Sequence, residues 1–197
     1  YSWSPSGGTA ISATGLSAGA YTVNVTDFTG CIASATVTIT QPSSLLSSIT
    51  ATTNITCNGL CNGSATVTTS GGTTNYSYLW SNSQTSAIAT GLCVGNFTVT
   101  VTDAKGCTSQ STATITQPAV LTATATATAA SCNGTCNGSV NLTPTGGTTS
   151  YSYAWSNAAT TEDLTALCAG SYTGTVTDVN GCTATASATV SQPTALL

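Results

Sequence analysis

The chain has 197 residues, and only 3% of them are charged: one basic residue, Lys105, and five acidic ones, with no histidine. That balance rules out a basic patch, and so an electrostatic nucleic-acid partner. The missing imidazole also removes the usual base for an activated nucleophile. No run approaches the roughly 18 apolar residues of a membrane span, so nothing in this segment implies membrane insertion.

Low complexity rich in Thr, Ser and Gly can mean an unfolded linker. Here 40% of the residues are hydrophobic, Val and Ile alternate with Thr, and the aromatics recur in register. Nine cysteines point to an oxidising, extracellular setting. The start in mid-motif at Tyr1-Ser2-Trp3 reads as a segment of a longer chain.

In chain order, the first elements are the back half of a unit that then repeats. Trp3, Trp80 and Trp155 recur at a step of about 75 residues. So do Cys31, Cys107 and Cys182, and the Gln-Pro pairs at Gln41, Gln117 and Gln192. A fixed period marks a modular array. The expected divisions are a partial unit over 1–42, complete units over 43–118 and 119–193, and the start of a further linker or repeat over 194–197. In the second unit Ser64 to Thr69 alternates as a strand, and Gly71-Gly72 marks a turn. Tyr76 to Trp80 alternates with its aromatics on one face, and Asn96 to Thr102 alternates again. Asp103 to Gly106 then forms a tight turn into a last strand, Cys107 to Thr116. Period-two alternation with turns at short intervals predicts an all-β chain of tandem immunoglobulin-like sandwiches. In strand C, Trp3, Trp80 and Trp155 would plug the cores. At the start of strand F, Tyr21, Phe97 and Tyr172 occupy the place of the tyrosine corner. Tyr76, Tyr78 and Trp80 could instead form a stacking platform for sugars, but alternation on one face favours a buried stripe.

The string Gly-Gly-Thr-Thr-x-Tyr-Ser-Tyr-x-Trp-Ser-Asn, followed by Leu-x-x-Gly-x-Phe/Tyr-Thr, Val-Thr-Asp-x-x-Gly-Cys-Thr and Gln-Pro, resembles the SprB-type repeat. That repeat occurs in very large surface adhesins of gliding Bacteroidota. The resemblance covers both complete units and most of the partial one. It implies export by the type IX secretion system and display on the cell surface as fibres for adhesion and gliding motility. Relative to the one cysteine near Cys57 and one near Cys107 usual in that family, these units add Cys61 and Cys93. The addition suggests a mechanically hardened filament.

The complete units hold Cys57, Cys61, Cys93 and Cys107, then Cys132, Cys136, Cys168 and Cys182. The partial unit has Ser17 in place of the Cys93 type yet keeps Cys31 of the Cys107 type, which argues against pairing between those two types. In a sandwich the A–B and E–F loops share one end, bringing Cys61 to Cys93 and Cys136 to Cys168. The Cys107 type lies at the other end. A ten-residue strand spans roughly 33 Å, whereas a disulfide tolerates Cα separations of up to about 7 Å. Cys57 is therefore closer to Cys182 of the next unit than to Cys107 of its own. The junction scheme leaves Cys31, Cys107 and Cys132 unpaired, while pairing within units leaves only Cys31. Both schemes stay open on these grounds, as does an exchange of roles between Cys57 and Cys61.

The Cys57-x3-Cys61 spacing approaches that of a zinc site, but no histidine accompanies it. Asp27, Asp103 and Asp178 recur at the end of strand F and are expected to cap turns. Each turn supplies one carboxylate, far short of the six or more oxygens calcium takes. Glu162 and Asp163 occur in one unit only and are expected to be solvated. Asn62, Asn75, Asn96, Asn133 and Asn137 begin glycosylation sequons. The leading expectation is a noncatalytic structural and adhesive segment of a secreted surface fibre, with no cofactor. Its partners would be neighbouring repeats, with lateral or end-to-end self-association. The alternatives are a module binding surface polysaccharide and a noncatalytic appendage of a larger secreted enzyme.

Overall fold

The structure is a computed structural model and describes residues 1–195. The described residues form strands and turns with no helix. In the first unit β1 (Ser2–Ser4), β2 (Gly19–Thr26) and β3 (Ile32–Ile39) form one antiparallel sheet in that order. The second unit has β4 (Leu46–Thr53), β5 (Gly63–Ser70), β6 (Ser77–Trp80), β7 (Ile88–Leu92), β8 (Gly95–Thr102) and β9 (Thr108–Ile115). The third repeats this with β10 (Thr122–Thr128), β11 (Gly138–Thr145), β12 (Ser152–Trp155), β13 (Leu164–Leu167), β14 (Gly170–Thr177) and β15 (Thr183–Val190).

Each complete unit folds as two three-stranded sheets, β4-β5-β7 facing β6-β8-β9 and β10-β11-β13 facing β12-β14-β15. In immunoglobulin lettering these are A-B-E and C-F-G, and every pairing within them is antiparallel. The fold is a series of Ig-like β-sandwiches. The two sheets also meet along one side. Ser47 on β4 exchanges hydroxyl and backbone hydrogen bonds with Ser109 and Ser111 on β9.

Period-two alternation places the core. On β5 Ala65 and Val67 turn inward, on β8 Val99 and Val101, and on β9 Ala113 and Ile115. Trp80 from β6, Ala89 and Leu92 from β7, and Ile55 after β4 complete that cluster. The third unit builds its core from Val140, Leu142, Trp155, Leu164, Leu167, Val176 and Val190. Each buried indole still needs an acceptor. Trp80 Nε1 donates to the Ser86 carbonyl at 2.9 Å, and Trp155 Nε1 to that of Thr161 at 2.9 Å.

The first unit departs from expectation in two ways. A back half of a unit, as expected over 1–42, would carry strands C to G, but among the described residues only the C, F and G positions are strands, and 5–18 carries none. The E strands of the complete units pair with B, as β7 does with β5, so a unit without B gives E nothing to pair with. Trp3 is half-buried instead of plugging a core, because no second sheet covers it. Its indole still donates to a backbone carbonyl, that of Ala10, at 3.0 Å. Thr194 and Ala195 form no strand, and the rest of the 194–197 stretch lies outside the described residues.

Candidate functional site

The site is the junction between consecutive units, built from an A–B loop on one side and an F–G turn on the other. The A–B loop of the second unit is held from within. Asn62 accepts the Thr56 N–H through Oδ1 and donates to Thr56 Oγ1 at 2.8 Å. Gly59 takes φ +83°, a left-handed conformation that glycine adopts readily, and aims its N–H at Gln117 Oε1. Asn58 Nδ2 donates to the Pro118 carbonyl. The third unit repeats the pattern, with Asn133 donating to Pro193, Gly134 to Gln192, and Asn137 clasping Ser131. The recurring Gln-Pro pair is thus the anchor for the Cys-Asn-Gly loop. Sequence reasoning took the pair only as a boundary mark. The signal was present in Cys-Asn-Gly preceding Gln-Pro at a constant distance. Asn62, Asn133 and Asn137, three of the sequon asparagines, have side chains engaged in these bonds.

The F–G turn is shaped by its aspartate. Asp178 Oδ1 accepts the N–H groups of Asn180 and Cys182, and Oδ2 accepts that of Thr148 in the B–C turn. Asp103 does the same with Lys105, Cys107 and Thr73. Asp27 receives Thr29 and Cys31 but has no B–C turn against it. All three carboxyls lie below the usual carboxylate range. For Asp27 the main cause is the Thr29 hydroxyl, followed by the Cys31 N–H. For Asp103 the Thr73 N–H lowers the value most. For Asp178 burial pushes upward, and the N–H donors of Thr148, Cys182, Asn180 and Gly181 together outweigh it. The Gly-Gly pair of the B–C turn is required here. A Cβ on Gly147 would lie 2.9 Å from Asp178 Oδ2, and one on Gly146 would lie 2.0 Å from the Val120 carbonyl oxygen.

At the junction the two parts meet covalently. Cys57 of the second unit is joined to Cys182 of the third, with Cα atoms 5.7 Å apart. Asn180 Nδ2 donates to the Thr56 carbonyl at 3.2 Å. The Cys182 sulfur lies 3.4 Å from the same oxygen, in contact only, since a disulfide sulfur has no proton to give. Within units Cys61 is joined to Cys93 and Cys136 to Cys168. Cys31, Cys107 and Cys132 are free and exposed.

The remaining candidate residues fall into two groups. Trp80, Trp155 and Tyr21 are buried; Phe97 and Tyr172 are half-buried and pack on their cores. Tyr172 and Tyr21 donate their hydroxyls to the carbonyls four residues back, Cys168 and Ser17. That is the bond of a tyrosine corner, and Phe97 lacks the oxygen to make it. Tyr76 and Tyr151 lean on the cores and donate to Gly71 and Gly146. Their rings and hydroxyls therefore serve the fold and do not form an exposed aromatic row. Asp163, expected to be merely solvated, accepts from Leu142 N–H and Asn141 Nδ2. Its charge ties the segment before β13 to β11.

These features define an all-β array of Ig-like units cross-linked within and between units. Residues 49–85 and 124–160 match the family model of the SprB repeat, each match running from the first strand of a unit past its tryptophan. No curated protein matches the chain in sequence. Among solved structures it is similar to one titled for Dscam isoform specificity, at 13% identity and TM-score 0.36, covering 88% of this chain and 54% of that one. It is also similar to the N-terminal four Ig domains of Dscam1 isoform 4.4, at 13% identity and TM-score 0.34, covering 93% and 57%. The chain spans about half the length of these structures. The Ig-like assignment rests on the strand order above.

Proposed function

We propose that this chain is a load-bearing segment of an extracellular, cell-surface adhesive fibre and performs no catalysis itself. The observation that carries the reading is the Cys57–Cys182 bond. It closes a sequence separation of 125 residues, so tension applied at the two ends bypasses most of both complete units. The intra-unit bonds close a further 32 residues each inside that loop. Surface chemistry supports the same role. With a net charge of −4 spread over 197 residues, neighbouring copies repel weakly and salt has little to screen. Export by the type IX system and a part in gliding belong to this proposal through the two SprB-repeat matches.

Pulling single molecules by their termini tests it. An extended residue spans at most about 3.3–3.6 Å. With the three disulfides intact, only some 70 residues lie outside the long loop, and extension should stop near roughly 250 Å. After reduction it should approach roughly 650 Å. Extension to the full length under oxidising conditions would contradict a load-bearing role.

A further inference from the structure

The three disulfides are nested. Cys61–Cys93 and Cys136–Cys168, with sequence separations of 32 each, both lie inside the loop that Cys57–Cys182 closes over a separation of 125. Tension along the chain therefore enters that loop through β4 at Cys57 and leaves it through β15 at Cys182. The two inner bonds carry none of it. The bonds also differ in exposure. Cys61, Cys93, Cys136 and Cys168 are exposed, whereas Cys57 and Cys182 are half-buried. The cover over the outer bond is specific. The Thr56 carbonyl oxygen lies 3.4 Å from the Cys182 sulfur, and Asn180 Nδ2 donates to that same oxygen at 3.2 Å. A cleft of about 330 Å³ bordered by Cys57 and Cys182 leaves room for a small thiol beside them.

Thr56 stands on the loaded side of Cys57. Pulling on β4 therefore draws the Thr56 carbonyl away from Asn180 and from the Cys182 sulfur, and it stretches the bond between Cys57 and Cys182. Access governs the rate of thiol–disulfide exchange, and work done by tension along a bond lowers the barrier to breaking it. We propose that load selects which disulfide a small thiol opens: the inner pair first in the relaxed chain, and Cys57–Cys182 first in the stretched one. This rests on the load-bearing reading and adds to it a length change sensitive to redox conditions. The junction outlasts the inner bonds because its two parts are held without them. Asn58, Gly59 and Asn62 fix the A–B loop, and Asp178 fixes the F–G turn.

In the step itself the thiolate of a small thiol attacks one sulfur of the pair. A bond forms between them and the bond between the two cysteines breaks. Its electron pair leaves with the other cysteine as a thiolate, which takes up the proton the small thiol gave up. A second small thiol then removes the attached one as a small disulfide. The protein bond gains two electrons and two protons, and two small thiols are oxidised to one disulfide.

The test treats the 197-residue chain, with its three disulfides formed, with reduced glutathione in two settings. In free solution, brief exposure followed by alkylation and peptide mapping should find Cys61, Cys93, Cys136 and Cys168 alkylated while Cys57 stays linked to Cys182. Asn180→Ala should speed loss of Cys57–Cys182 about fivefold, as expected for one hydrogen bond of its cover, and leave the inner bonds unchanged. Under a constant pull, the first lengthening that depends on the thiol reports the order. With the inner bonds intact it is roughly 210 Å, followed by two steps of roughly 110 Å, and with them already open it is a single step of roughly 430 Å. Single long steps should dominate at the lowest load that extends the chain to its limit, and short first steps should take over as load rises. An unaltered rate in Asn180→Ala, first steps whose size ignores load, or loss of Cys57–Cys182 before the inner bonds in free solution would each overturn the proposal. The load-bearing reading fails separately, by extension past roughly 250 Å with no thiol present.

Discussion

The first and second units contain the same C-F-G sheet order, with the F–G ladder matched position for position, but only the second has an A-B-E sheet facing it. Val101 on β8 is fully buried, while Val25 at the same ladder position on β2 is 39% exposed. Ala113 on β9 is 2% exposed, and Val37 opposite Tyr21 on β3 is 45% exposed. The F–G ladder and the backbone closure of the aspartate turn form alike in both units. Local sequence therefore specifies the sheet, and the facing sheet turns its apolar side into a core.

The largest test of that contrast is the tryptophan. Trp80→Ala should destabilise the second unit by about 3–5 kcal/mol, measured by denaturant unfolding. Trp3→Ala should change the same transition by less than about 1 kcal/mol. Equal losses would mean that the first unit has a core the described residues do not form. Next come the intra-unit bonds. Replacing Cys61 and Cys93 together by Ser should remove about 3–4 kcal/mol, as expected for a loop of this length. The third unit, which keeps its own bond, should hold its midpoint.

Acid sharpens the comparison at the turns. A carboxyl with a depressed folded pKa contributes stability that is fully present above its unfolded value, near 4, and lost as pH falls through the folded value. The complete units should therefore weaken below about pH 4. Asp103→Ala should remove more of that acid sensitivity than Asp27→Ala, because only Asp103 also receives a B–C turn N–H. Thermal melts from pH 2 to 6 would check this ranking. The smallest effect concerns the corner residue. Tyr172→Phe should cost the third unit about 1 kcal/mol, and Phe97→Tyr should gain the second unit about as much by reaching the Cys93 carbonyl.

The sandwich was legible in the sequence because burial on one face of a strand writes itself as alternation, and because each turn recurs, the F–G turn three times and the Gly-Gly turn twice, exposing the period. The aspartate caps were legible for the same reason. The partner of Cys57 was legible only as a preference: strand length put Cys182 closer than Cys107, but how one sandwich stands on the next is written in no local periodicity. The Gln-Pro anchor was overlooked because its partners, Asn58 and Gly59, lie some 60 residues earlier in the chain. Asp163 gave no warning of its role, because it occurs in one unit only and repetition could not single it out.

The central claim is that consecutive units are joined covalently across their junction. Peptide mapping of the unreduced chain, with free thiols blocked by alkylation, tests it most directly. The account predicts Cys57 linked to Cys182, with alkylated Cys31, Cys107 and Cys132. Recovery of Cys57 linked to Cys107, with alkylated Cys182, would contradict it.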